Sequence, residues 1–326
     1  MKIRLMAGVV ALGLAVAGCG GGARVDTGAT ATAAAQPSGS GSAAPAGTVN
    51  IAINPWVGYE ATAAVIAHLL TNELGYTVQK KELKEEVAWA GFETGEVDVI
   101  VENWGHDDLK KKYFEEKKVA LSAGSTGNKG IIGWYVPQWM ADKYPDITDY
   151  KNLNKYADLF KTSESGGKGQ LLDGDPSYVT NDEALVKNLK LDFKVVTGGS
   201  EAALLESAVQ AQEQQKPLLF YFWTPHWLFD KVKLARVNLP PYTAGCDADP
   251  KKVACDYGEL DLDKIVSKKF ADTGGKAYEL VKNFSWTNED QNAVANDIQN
   301  NGMSAEDAAK KWVEANQAKW QAWLPK

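Results

Sequence analysis

Residues 221–229 read YFWTPHWLF, five aromatic rings in nine positions around Pro225 and His226, at the point where the apolar run KPLLFYF stops. Ring faces carry a negative quadrupole and hold cations that have no N–H to donate, each desolvated face contributing about 0.5 to 2 kcal/mol. Quaternary ammonium groups are the main such cations. A lone cluster of this kind reads first as a packed corner of a core, ahead of a ligand site. Other rings bear on the choice: Trp56 follows TVNIAINP, Trp104 and His106 follow VDVIVEN, and Tyr178 follows LLDGDPS. With Trp223, three or four faces would supply much of the roughly 8 kcal/mol that micromolar binding requires. The expected cage has no carboxylate pointing into it, so that the rings alone meet the positive charge.

A betaine also carries a carboxylate, and two segments offer to receive it. WVGYEATAA and SYVTNDEA each open a predicted helix, where free backbone N–H groups and the helix dipole favour an anion. They make Trp56, Gly58 and Tyr59, and Tyr178, Val179 and Thr180, candidate ligand contacts. His106 and His226 add directed donors, although each also reads as a structural hydrogen bond beside a tryptophan.

The elements that must position these residues follow from periodicity. TVNIAI reads as a strand, YEATAAVIAHLLTNELG as an amphipathic helix closed by Gly75, YTVQKKEL as a strand, EVAWAGFETGE as a helix and VDVIVENW as a buried strand. Alternation of this kind builds a parallel α/β lobe. GIIGWYVPQWM is extended, and a second α/β set runs through GQLLDGDP, NDEALVKNL, FKVVTG and SEAALLESAVQAQEQ to KPLLFYFW. In such sheets ligands gather at the carboxyl ends of strands, which is where the four aromatic positions fall. From about residue 230 the chain reads as mainly helical, and Trp312, Trp320 and Trp323 fall on one face of a last helix that docks on a core.

The chain begins with Lys2 and Arg4 before LMAGVVALGLAVAG, a run too short to span a bilayer, which ends at Cys19. This resembles a bacterial lipoprotein signal peptide with its lipidated cysteine. Residues 20–47 are Gly, Ala, Thr, Ser and Pro with almost no large apolar side chain, a flexible tether. Cys246 and Cys255 are the remaining cysteines, and in an exported chain CDADPKKVAC reads as one closed loop, worth about 3 kcal/mol. A zinc site is the weaker alternative, because two thiols leave it half filled. The net charge of -7 and the absence of a basic run argue against nucleic acid. No G-x-S-x-G or H-E-x-x-H is present and the three histidines lack metal-ligand spacing, so neither a catalytic centre nor a cofactor is expected.

NPWVGYEA, VENWGHDD, DGDPSYVTNDEA and YFWTPHWLF, taken together, resemble the substrate-binding proteins of glycine betaine and proline betaine ABC importers, the ProX and OpuAC group, from about residue 48 to the C-terminus. The resemblance implies a two-lobed periplasmic-binding-protein fold of type II, α/β throughout, with the ligand in the cleft between lobes and an ABC permease as partner. It divides the chain into a leader (1–19), a tether (20–47), lobe I (48–134), lobe II (135–228) and a return to lobe I (229–326). It makes Trp104 and Trp223 cage walls and sets Tyr178 where one branch has another tryptophan. His106 corresponds to a carboxylate-binding histidine of that branch, His226 to one of the other. Choline, carnitine, ergothioneine and dimethylsulfoniopropionate are alternative ligands, and an exported enzyme acting on such compounds is the rival of a different class. The leader makes a direct prediction: Cys19→Ala should release the protein from the membrane fraction, and a variant retained as firmly as the parent would end the lipid-anchor reading.

Overall fold

The computed structural model describes residues 46–326; the leader, Cys19 and all but the end of the tether lie outside the described residues. Thr48–Ile53 (β1) pairs in parallel with Thr77–Glu82 (β2), Thr48 opposite Thr77, and meets Val99–Asn103 (β3) at Ile51 and Val99. The crossovers are Val57–Asn72 (α1) and Glu85–Thr94 (α2). α1 is buried on nearly every side, because helices 288–299 and 305–315 cover what the sheet does not. α2 ends at Gly95, whose φ of 77° is the left-handed turn that glycine adopts without a Cβ clash.

One strand joins the two halves of the molecule. Ala120–Pro137 (β4) is 18 residues long and takes part in both sheets. On the far half of the chain lie Gly169–Asp173 (β5), Phe193–Thr197 (β6), Phe220–Thr224 (β7), Leu234–Arg236 (β8) and Leu260–Ser267 (β9). The first part of β4 runs antiparallel to β9, which also closes on β3. From Ile131 onward β4 pairs instead with β7, and near its end with β8. The order is β2-β1-β3-β9-β4-β7-β5-β6, with β5 parallel to both β6 and β7. The change of partner falls between Gly130, opposite Leu260, and Ile131, opposite Thr224.

Two hydrophobic cores pack on this sheet, and the first reaches across it to Leu204, Phe220 and Phe222. One gathers Ile51, Ile66, Leu70, Phe284 and the C-terminal helices; the other gathers Trp134, Phe160, Leu171 and Phe193. The region after residue 230 is not mainly helical from its start, since β8 and β9 lie in it and β9 is central to the sheet. Nor does the chain leave the second core at 229: Val237, Leu239, Val253 and Cys255 pack there, under the loop that the bonded sulfurs of Cys246 and Cys255 close. Trp312, Trp320 and Trp323 do dock on the first core, but from helix 305–315, the turn 317–320 and a final 3-10 turn, with Trp312 and Trp323 stacked at 5.9 Å and 9°. The break at Asn316 brings Trp323 back over Trp312, while Trp320 donates to the Val313 carbonyl.

The second core contains a buried acid. Asp182, fully buried, accepts from Trp134 Nε1 at 2.8 Å and Tyr257 Oη at 2.6 Å through one carboxylate oxygen. Burial and then the nearby Asp173 push its pKa up to about 8. Its unfolded value lies near 3.8, so the folded state holds the extra proton: that stability is fully present below the unfolded value and is lost as pH rises through about 8. Thermal stability should therefore fall between pH 5 and 8.5, by up to about 1.4 kcal/mol per pH unit. Asp182→Asn should flatten the fall while leaving stability at pH 5 nearly unchanged, and a fall as steep in the variant would assign it to other groups.

Candidate ligand-binding site

A cavity opens where the carboxyl ends of β1 and β3 face those of β5 and β7. From the first sheet it takes Trp56, just before α1, Glu85 at the start of α2, and Trp104 and His106 after β3. From the second come Tyr178 and Val179, in the loop after β5, and Tyr221 and Trp223 on β7. Ile132 of β4 completes the wall. Tyr178 stands edge-on to Trp56 (5.9 Å, 84°) and to Trp223 (5.7 Å, 90°), and Tyr221 lies 5.8 Å from Trp223. The Tyr178 hydroxyl donates to the Pro55 carbonyl at 2.9 Å, which ties the second sheet's loop to the first.

Local sequence explains how the rings are held. Gly130 leaves room for the Trp104 ring, since a Cβ there would lie 2.6 Å from its six-membered edge, and Gly174 does the same for Tyr178. Behind the first wall sits Glu102 of β3, 1% exposed. One of its oxygens accepts from the indole N–H of both Trp56, at 2.9 Å, and Trp104, at 2.8 Å. The other accepts from Thr62 at 3.2 Å and from the Gln291 amide. Burial raises the Glu102 pKa above its ordinary value, against four donors that favour the carboxylate. Both indole N–H groups are thus turned away from the cavity and only ring faces remain for a ligand.

The two predicted histidines are placed differently. His106 lines the cavity with a left-handed backbone (φ 56°), its Nε2 3.1 Å from Glu85 Oε1. Burial alone would lower its pKa, but the Glu85 carboxylate raises it on balance. His226 stands outside the cavity, 4% exposed behind Trp223. Its Nδ1 accepts from Leu228 N–H at 3.0 Å, so its proton sits on Nε2, facing Glu201 Oε1 at 3.1 Å.

Of the other predicted contacts, Trp56, Trp104, Tyr178, Val179 and Trp223 are brought together and Gly58, Tyr59 and Thr180 are not. Gly58 faces Gln291, to which its carbonyl is bonded. Tyr59 is fully buried, edge-on to Trp56, with its hydroxyl accepting from Val101 N–H. Thr180 donates to Asp173 at 3.0 Å. Three lining residues were not expected. Tyr221 was legible, being two residues from Trp223 and so on the same face of a strand; Ile132 lies opposite Trp223 in the ladder, which only pairing reveals. Glu85 corrects the expectation of a cage without a carboxylate: it opens α2 and is 7% exposed, and no local pattern distinguishes it from Glu86 beside it.

The model of a substrate-binding domain of ABC-type glycine betaine transport systems matches residues 47–315. The chain belongs to this family. Its members bind solutes for transport, and this chain is accordingly a binding protein of an ABC transport system and not an enzyme. It is 26% identical to the trimethylamine N-oxide-binding protein of Pelagibacter ubique, over 78% of this chain and 85% of the relative. It is 24% identical to the glycine betaine/proline betaine-binding periplasmic protein of Escherichia coli, over 84% and 89%. Among solved structures, lactococcal OpuAC in its closed form with glycine betaine superposes with a TM-score of 0.66 at 26% identity, covering 85% of this chain and 99% of that one. The two-lobed architecture of the family is therefore that of this chain.

The Glu102 arrangement makes a prediction for the family fold. Glutamine at 102 keeps the shape but offers one accepting oxygen and no charge, so the two indoles lose their common charged acceptor, a change of about 1.5–3 kcal/mol. Glu102→Gln should weaken ligand binding by at least about tenfold while far-ultraviolet circular dichroism stays that of the parent. Unchanged affinity would mean that the rings are held by packing alone.

Proposed function

We propose that this protein is an extracytoplasmic binding protein, anchored by lipid at Cys19, that captures glycine betaine or a related quaternary ammonium compound in an aromatic cage and delivers it to an ABC permease. The observation that carries the reading is the arrangement of Trp56, Trp104, Tyr178 and Trp223: ring faces from both sheets converge on one cavity that no Lys or Arg lines among the described residues. Such a site offers a methylated cation quadrupole and desolvation. The names of relatives support both parts of the reading: one is called periplasmic, and all three reported bind a small methylated amine compound. Among the described residues no helix is long and apolar enough to cross a membrane.

The lobes that close on the ligand are, in this proposal, about 48–130 with 258–326, and 131–257, divided where β4 changes partner and where the chain returns through Gly258 to β9. Hinge closure is the motion expected of two lobes joined in this way. Replacing Trp104 or Trp223 by Ala removes one cation–π partner and should cost about 1.5 to 3 kcal/mol, at least about tenfold in affinity. Phe keeps a ring face and should lose less. Calorimetric titration of parent, Ala and Phe variants, with whichever of glycine betaine and choline binds the parent more tightly, tests this: equal affinities would remove these rings from the cage.

A further inference from the structure

We infer that the ligand of this cage is a methylated ammonium compound without a carboxylate, because the opening N–H of α1 and both candidate histidines are already bonded to the protein's own glutamates, one of which, Glu85, lines the cavity. The inference rests on the cage reading above and narrows its ligand.

The N-terminus of α1 is the first place a ligand carboxylate would go. Its opening N–H, that of Val57, donates to Glu201 Oε2 at 3.0 Å. Glu201 begins helix 201–213 in the other lobe and is 6% exposed, so the acid enters from across the cleft. Its second oxygen takes the Nε2 proton of His226, the other candidate carboxylate donor. One buried glutamate thus uses both groups with the geometry a bound carboxylate would have. At the second expected anion site, the N–H of Asn181 donates to Tyr257 Oη at 2.8 Å, and Thr180 is held by Asp173. The indole donors of Trp56 and Trp104 are held by Glu102, and the Tyr178 hydroxyl by Pro55.

The acid that lines the cavity points the same way. Glu85 is placed beside His106, where it meets an incoming anion with like charge and accepts from a hydroxyl. Glu102 and Glu201 lie buried behind the walls. A ligand carboxylate would enter this field without a free cationic partner, and like-charge juxtaposition in a desolvated site is among the strongest sources of discrimination. A methylated ammonium group whose other end is neutral, as in choline or trimethylamine N-oxide, avoids that cost.

Isothermal titration of the purified mature protein with choline, trimethylamine N-oxide, tetramethylammonium and glycine betaine separates the outcomes. The expected result is that the tightest of the three carboxylate-free compounds binds at least about tenfold more tightly than glycine betaine. Glycine betaine binding tightest, or within about tenfold of the best, would overturn the inference and leave the cage standing. Binding of none of the four would overturn the cage reading and the inference with it. Glu85→Gln gives an independent test, because it removes the acid that lines the cavity and keeps the shape of the side chain: the ratio of glycine betaine to choline affinity should rise by at least about tenfold in folded variant, and an unchanged ratio would mean that Glu85 does not discriminate against a carboxylate.

Discussion

The carboxylate of Glu102 is the contact on which the cage depends. Trp56 and Trp104 come from different β–α connections, and a tryptophan in a loop has no intrinsic reason to present its face and not its N–H to a cavity. A single buried oxygen accepting both indole protons fixes the two rings at once. The arrangement reaches further, because Gln291 of helix 288–299 donates to the same acid and to the Gly58 carbonyl of α1. The C-terminal helices are thereby joined to the cage by a polar network inside an otherwise apolar core, and such networks are costly when only partly satisfied. The acid lies behind the rings and does not line the cavity.

The same device recurs in the other lobe. Asp182 accepts from Trp134 and Tyr257, and Tyr257 lies edge-on to Tyr221 of the cavity wall. Acids behind aromatic groups orient them without pointing into the site. Glu85 is the exception, standing in the cavity beside His106.

Much of this was legible in the sequence for reasons that can be named. Strands with apolar runs and helices with 3.6-residue periodicity gave both α/β sets, and aromatic residues at strand ends gave Trp56, Trp104, Tyr178 and Trp223. β9 was missed because LDLDKIVS places Asp261, Asp263 and Lys264 in a strand, and Lys264 is buried there by donating to the carbonyls of Ser125 and Lys282. The first half of β4, ALSAGSTGNK, has the glycine and serine content of a loop and becomes a strand only through pairing with β9. His226 illustrates a limit of a different kind. Its neighbours in the chain are those of a binding motif, and only Glu201, distant in sequence, turns its proton away from the cavity. Glu85 and Glu201 carry no local signature because the meaning of an acid at a helix start lies in what faces it.

The bond from Val57 N–H to Glu201, with that from Tyr178 to Pro55, has a consequence for the timing of transport. Both join the lobes through the protein's own atoms. Under the closure proposed above, the closed form has favourable terms that do not depend on cargo. In that proposal, release has to break the same bonds before the cleft opens.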